Sequence, residues 1–117
     1  MPGPLRIFVV EDEMTIALFL EDVLVDLGHH VAGVAMRLPQ AAQMAKEVEA
    51  DLAILDINLD GRKSFPVAEE LRARGVKLLF ASGYGSSGLE DPFRNEVVVR
   101  KPFEANDIQA AIAKVTA

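Results

Sequence analysis

The stretch Leu5-Arg6-Ile7-Phe8-Val9-Val10-Glu11-Asp12 is almost entirely apolar as far as Val10 and then becomes acidic. A short run that is apolar on both faces is typical of a central strand in a parallel sheet. Three later, largely apolar runs also end in a polar residue, namely Asp56 after 52–55, Ser82 after 76–81 and Lys101 after 97–100. Parallel strands share one carboxyl edge, where ligands bind in open α/β sheets. The sequence therefore predicts that these polar side chains gather at one edge of a sheet.

Helical segments alternate with these strands. Apolar periodicity, together with proline and glycine near the ends, predicts helices over 13–27, 39–48, 66–74 and 103–115, and a further edge strand over 30–36. A short, mobile element is predicted between 83 and 92, which is poor in helix formers. Alternating strands and helices with right-handed crossovers predict a doubly wound α/β fold, a flavodoxin-like (βα)5 parallel sheet in strand order 2-1-3-4-5.

Composition limits the class of protein. The 117 residues suit one domain over 1–117, and no linker or second domain is apparent. The absence of cysteine excludes disulfides and cysteine metal sites. The net charge of −6 argues against direct binding to nucleic acid, whose phosphates would be repelled. No apolar stretch is long enough to span a membrane and the N-terminus lacks the apolar core of a signal peptide, so we expect a cytoplasmic location.

The predicted edge combines groups that suit a divalent cation and a phosphoryl group. Mg²⁺ prefers hard oxygen ligands, and Asp12 and Asp56 can each supply one. Glu11 can bind directly or hold a coordinated water, and the backbone carbonyl of Asn58 can supply another oxygen. Carboxylates packed this closely repel one another, and a bound cation relieves that repulsion.

Asp56 is the expected nucleophile because it is central and is followed by a loop that we expect to be flexible. An aspartate carboxylate can hold a phosphoryl group as an acyl phosphate. Lys101 and the cation would neutralise two of the phosphoryl oxygens, and Ser82 would donate a hydrogen bond to a third phosphoryl oxygen. We expect Ser82 to be drawn inward when the phosphoryl group arrives, and the segment 83–88 to move with it.

Four motifs carry a family resemblance in their order and spacing: Val10-Glu11-Asp12-Glu13, Leu55-Asp56, Ala81-Ser82-Gly83 and Lys101-Pro102-Phe103. Across essentially the whole chain, the sequence resembles the receiver domain of bacterial two-component response regulators. The resemblance implies Glu11 and Asp12 as the acidic metal pair, Asp56 as the phosphoacceptor, Ser82 as the switch hydroxyl and Lys101 as a lysine usually followed by a cis-proline, here Pro102.

The resemblance also implies a cofactor and partners. The cofactor would be Mg²⁺, and the donor would be a phosphohistidine on a sensor histidine kinase or a phosphotransfer protein. The protein would be a signalling phosphoacceptor rather than an enzyme, with self-catalysed phosphoryl transfer and slow autodephosphorylation. Because no output domain follows the last helix, a stand-alone receiver is expected, which docks on an unidentified downstream protein or passes the phosphoryl group along a relay. Family members meet the kinase through the first helix, where Leu18 and Val25 are available.

Two positions depart from the common pattern of the family. Val98 occupies the position three before the lysine, where Tyr or Phe is frequent, and Asp60 replaces a frequent proline four residues after the aspartate. The stretch Phe80-Ala81-Ser82-Gly83-Tyr84 instead resembles the Phe-Ala-Thr-Gly-Tyr subgroup, which lacks that aromatic residue, and the Pro66-Val67-Ala68 pattern fits the same subgroup. We hypothesise that Tyr84 takes over part of the switching role.

Other classes of function use similar residues. A small phosphatase with an aspartyl nucleophile usually carries a second acid two residues later, where this chain has Asn58. An adaptor of the same fold that is never phosphorylated has usually lost an acidic residue or the lysine, and none is lost here. A nucleotide-binding domain is the weakest alternative, because Glu11-Asp12-Glu13 would repel phosphate at the first turn.

Overall fold

The computed structural model describes residues 3–117. Its main sheet contains five parallel strands in the order β2-β1-β3-β6-β7. The strands are β1 (Arg6–Val10), β2 (His30–Ala35), β3 (Leu52–Asp56), β6 (Lys77–Ser82) and β7 (Val97–Arg100). The helices are α1 (Met14–Asp26), α2 (Leu38–Ala45), α3 (Phe65–Ala73) and α4 (Ala105–Val115). A separate antiparallel hairpin pairs β4 (Asn58–Leu59) with β5 (Arg62–Lys63).

This arrangement confirms the predicted fold and strand order, with the strand over 30–35 at an edge of the sheet. One face packs with α2 and α3 in a core that includes Phe8 and Phe80, and the other packs with α1 and α4 around Ile54 and Leu79. Every residue of β3 is buried because helices cover the strand on both faces. The carboxyl end of this central strand is therefore fixed in position by pairing with a strand on either side and by packing on both faces.

Two helix ends differ from the predicted boundaries by two or three residues, and hydrogen bonds are present at each. The helix α4 begins at Ala105 rather than 103, because Glu104 caps it. The Asp107 carboxylate accepts the backbone N–H of Glu104 at 2.7 Å, and the Asp107 N–H donates to the Glu104 carbonyl at 3.0 Å. The helix α2 ends at Ala45 rather than 48, and Arg74 Nη1 donates to the carbonyls of Ala45 and Val48 at 2.8 Å.

The segment between β6 and β7 contains a short 3-10 turn, Gly85–Gly88, in agreement with the short element predicted there. Two apolar side chains beyond it, Leu89 and Phe93, are buried in the core. The Phe93 ring stacks on Phe65 at a centroid distance of 5.5 Å, and the Arg72 guanidinium lies 4.3 Å from its centroid. The segment is thus anchored to the core at its far end.

Within residues 3–117, no helix combines the length and the hydropathy required to cross a bilayer.

Candidate functional site

Backbone hydrogen bonds beyond the regular ladders fix the residues at the carboxyl edge of the sheet. The N–H of Glu11, just after β1, donates to Ala35 O at 3.0 Å. The N–H of Lys101, just after β7, donates to Ser82 O at 2.9 Å. Asp56 is the last residue of β3 and Ser82 the last residue of β6. All four residues therefore lie at one edge, as their positions after apolar runs predicted.

Lys101 joins two buried carboxylates. Its Nζ donates to Asp56 Oδ2 at 3.1 Å and lies 2.9 Å from Glu11 Oε1. The contact with Glu11 is ionic rather than a well-aligned hydrogen bond, because Oε1 has no hydrogen-bond partner of good geometry. Oε2 of the same carboxylate accepts the N–H of Glu13 at 3.1 Å. The peptide bond from Lys101 to Pro102 is cis, as the resemblance implied.

Glu11, Asp12 and Asp56 form an acidic group. One carboxylate oxygen of each lies within 4.8 Å of the others. Glu11 and Asp56 are buried, whereas Asp12 is half-buried, so the group opens toward solvent on one side. Hard carboxylate oxygens at this spacing, one of them without a well-aligned hydrogen-bond partner, fit a small divalent cation such as Mg²⁺.

Burial and neighbouring charge oppose each other at the site. Burial raises the pKa of Glu11 to about 7, despite the nearby Lys101 ammonium. Burial also raises the pKa of Asp56. Burial alone would lower the pKa of Lys101, but the two carboxylates outweigh it and raise that pKa. Partial burial opposes ionisation of Asp12, yet hydrogen bonds from the backbone of Asp60 and from neighbouring groups lower its pKa. The site therefore holds negative charge that is only partly compensated.

The hairpin β4–β5 donates backbone hydrogen bonds to two carboxylates of the acidic group. The N–H of Asn58 donates to Asp56 Oδ1 at 3.2 Å, and the N–H of Asp60 donates to Asp12 Oδ2 at 2.9 Å. Asp60 and Gly61 form the tip with φ values of 51° and 83°, a left-handed turn that Asp-Gly readily adopts. The region after Asp56, predicted to be a flexible loop, is therefore a hydrogen-bonded hairpin, and the Asn58 carbonyl ligand stays a prediction.

Ser82 accepts a hydrogen bond at its hydroxyl within its own turn. Its side chain is buried, and Oγ accepts the backbone N–H of Tyr84 at 3.0 Å. The Tyr84 side chain is 75% exposed, and Val98, at the position where the family resemblance makes an aromatic residue frequent, is half-buried. The switching role of Tyr84 stays a hypothesis.

Several large apolar side chains are exposed on α1. Leu18 and Val25, which the sequence indicated as docking residues, are 54% and 61% exposed. Met14 is exposed as well, four residues before Leu18 on the same helix. Neither the exposure of Met14 nor the Asp60 N–H that orients Asp12 was predicted from the sequence, although the Asp60-Gly61 turn signal pointed toward the latter.

Comparison with known proteins identifies the family. The protein-family model described as the response regulator receiver domain matches residues 7–113 of this sequence. The solution structure of SdrG from Sphingomonas melonis Fr1 is 37% identical with a TM-score of 0.84, and each chain covers 100% of the other. The BeF3-activated conformation of SdrG from Pseudomonas melonis Fr1 is 36% identical with a TM-score of 0.83, again with 100% of both chains covered.

A longer relative matches over part of its length. The phyllosphere-induced regulator PhyR of Methylorubrum extorquens is 32% identical over 93% of this chain, which spans 42% of PhyR. The fold, the match to the family model and these relatives agree. The chain belongs to the family of response regulator receiver domains, which act in two-component signal transduction.

Proposed function

We propose that the protein is a single-domain response regulator that accepts a phosphoryl group on Asp56 from a phosphohistidine of a sensor histidine kinase or a phosphotransfer protein. The observation that carries the proposal is the position of Asp56, a carboxylate at the end of the central strand with Lys101 Nζ 3.1 Å from Oδ2 and the acidic group beside it. A nucleophile, a fixed cation and a metal-type acidic group are the parts that phosphoryl transfer requires.

Receiver domains generally bind Mg²⁺ at an acidic pocket, and the residues here fit that ion. Glu11, Asp12 and Asp56 would hold it, with the backbone carbonyl of Asn58 as the further proposed ligand. The ion would supply positive charge for the phosphoryl oxygens and would offset the mutual repulsion of the carboxylates.

The covalent step uses residues of this chain. An Asp56 oxygen attacks phosphorus, so that an O–P bond forms as the P–N bond of phosphohistidine breaks. The electron pair of the broken bond returns to the imidazole, which takes up a proton from solvent. Lys101 would shift its hydrogen bond from the Asp56 carboxylate to a phosphoryl oxygen, and charge neutralisation of this kind is the main catalytic factor in phosphoryl transfer.

Ser82 would convert this chemistry into a change of shape. Its Oγ is engaged by the Tyr84 N–H in the unphosphorylated protein. A phosphoryl group on Asp56 offers a charged acceptor, to which a hydroxyl hydrogen bond is stronger than a neutral one. Rotation of Ser82 toward that acceptor would release the Tyr84 N–H and rearrange the 83–88 turn, which a downstream protein would recognise.

The experiment is phosphoryl transfer with Mg²⁺, from a phosphorylated histidine kinase and separately from acetyl phosphate. The wild type should be labelled, and Asp56→Asn should lose essentially all label. Asp26→Asn, at the exposed end of α1, is the matched control and should be labelled like the wild type. Equal labelling of Asp56→Asn and the wild type would remove Asp56 from this role. Turnover of a small phosphomonoester would support the phosphatase alternative instead.

A further inference from the structure

Gly88, the last residue of the 3-10 turn, lies directly against the Ser82 side chain. A Cβ atom placed on Gly88 would lie 3.0 Å from Ser82 Oγ and 3.1 Å from Ile57 Cδ1. These separations are shorter than ordinary van der Waals contact, so at least one neighbour would have to move. The turn packs closely over Ser82 at a residue that has no side chain, and any side chain there would crowd Ser82 and Ile57.

The crowding around residue 88, rather than its backbone conformation, accounts for the glycine at this position. Gly85, in the same turn, has a φ of +59°, in the left-handed region that glycine tolerates best. Gly88 does not lie in that region. Gly83, which follows Ser82 in the chain, also lies outside the left-handed region, and a Cβ atom placed on it would meet nothing within 4 Å. Alanine is therefore acceptable to the backbone at both 83 and 88, but only at 88 does it meet Ser82.

We propose that Gly88 is a positioning residue that keeps the Ser82 hydroxyl in its resting orientation, hydrogen-bonded to the Tyr84 N–H. This inference rests on the proposed function, because it concerns the hydroxyl that would answer phosphorylation. The clearance at Gly88 accommodates Oγ where Tyr84 can reach it. A methyl group at position 88 crowds that orientation, and it favours rotation of Oγ away from Gly88.

The expected effect is a population shift before any phosphorylation. In Gly88→Ala, Oγ leaves the Tyr84 N–H more often, so the Tyr84 amide resonance moves toward its position in the activated protein. Because part of the switch has then occurred in advance, the apparent affinity for beryllofluoride with Mg²⁺ rises by about threefold. Gly83→Ala is the matched control for this affinity, which it should leave unchanged.

A double-mutant cycle assigns the effect to Ser82. Alanine at position 82 removes Oγ, and the remaining Ser82 Cβ distance of 3.9 Å is an ordinary contact. Gly88→Ala should therefore have no effect on beryllofluoride affinity in a Ser82→Ala background. An Ile57→Val background removes Cδ1, the other crowded atom, and the full effect of Gly88→Ala should persist there. If Gly88→Ala alone does not fold, the comparison is made in the Ile57→Val background.

Amide NMR spectra of the metal-free, unphosphorylated variants provide the test that does not depend on phosphoryl chemistry. A Tyr84 resonance that is the same in Gly88→Ala and the wild type would overturn the inference. So would an effect of Gly88→Ala that survives in Ser82→Ala, because it would then arise from packing on Ile57. Failure of the proposed function is detected separately, by labelling of Asp56→Asn.

Discussion

The ammonium nitrogen of Lys101 lies 2.9 Å from Oε1 of Glu11, a residue that is only 1% exposed. A buried carboxylate is costly unless an opposite charge accompanies it. The same nitrogen lies 3.1 Å from Asp56 Oδ2, so that one ammonium group offsets the charge of two carboxylates. Without bound metal, Lys101 is therefore a structural counter-ion as well as a proposed ligand of the phosphoryl group.

Replacement of Lys101 by methionine should destabilise the metal-free protein by about 2 kcal/mol, because the buried carboxylates lose their partner. The penalty stays below that of a fully buried pair because the Lys101 side chain is 20% exposed. Mg²⁺ should stabilise the variant more than the wild type, since the ion replaces the missing charge. Urea unfolding with and without Mg²⁺ measures both effects.

The matched control is Lys77→Met, at an exposed position at the start of β6. Among the described residues Lys77 takes part in no ion pair, and its replacement should change the free energy of unfolding by less than about 0.5 kcal/mol. Equal stabilisation of Lys101→Met and the wild type by Mg²⁺ would contradict a shared electrostatic role for lysine and metal.

His29 should make stability depend on pH. Its Nδ1 accepts the backbone N–H of Leu5 at 3.1 Å, which requires the neutral ring, and burial together with the neighbouring His30 lowers the pKa from 6.5. A lowered pKa means that the unfolded chain takes up the proton first as the pH falls. The contribution of His29 is therefore complete above about pH 6.5 and is lost below it, through the folded-state pKa.

The stability difference between the wild type and His29→Gln should accordingly shrink between pH 7.5 and about pH 5. Chemical denaturation at several pH values measures it. His30→Gln, at an exposed neighbouring position, should retain most of the pH dependence of the wild type. A difference between wild type and His29→Gln that is constant with pH would show that the Leu5 hydrogen bond does not depend on the protonation of His29.

Phe93→Ala should destabilise the protein by about 3 kcal/mol, because this ring is only 1% exposed and packs against both Phe65 and Phe80. Phe19→Ala should cost about 1 kcal/mol, since Phe19 is 40% exposed. Thermal or urea unfolding measures the comparison. Equal costs for the two variants would show that the segment before β7 is not anchored to the core by Phe93.

Leu18→Glu should reduce phosphoryl transfer from the kinase by about tenfold if α1 is the docking surface, because it places a charge within an apolar contact. Labelling by acetyl phosphate should be unchanged, because this small donor needs no docking surface. Ala42→Glu, at an exposed position of α2, is the matched control for both donors. Equal loss with both donors would instead indicate a disturbed site.

The sheet and its polar edge could be predicted because both follow from short-range rules. The apolar run before Asp56 gives a strand buried on both faces, and β7 matches its predicted bounds of Val97–Arg100. Once the strands are parallel, their carboxyl ends must share an edge, so the positions of Glu11, Ser82 and Lys101 required no knowledge of side-chain contacts.

Features that depend on tertiary contacts could not be predicted in this way. The strands β4 and β5 have two residues each, too few to show a period, although the Asp60-Gly61 turn between them was foreseen. Leu89 and Phe93 are isolated apolar residues in a polar segment, and their burial becomes apparent only from their packing against the core in the folded chain. The proximity of Gly88 to Ser82 likewise depends on how the 3-10 turn folds back on the sheet.

The exposed ring of Tyr84 gives the molecule a built-in optical reporter. The chain has one tyrosine and no tryptophan, so its intrinsic ultraviolet emission comes almost entirely from this ring. The same residue donates its backbone N–H to Ser82, which places the fluorophore on the turn expected to rearrange. Rapid-mixing kinetics of an unlabelled sample can therefore follow the turn in real time.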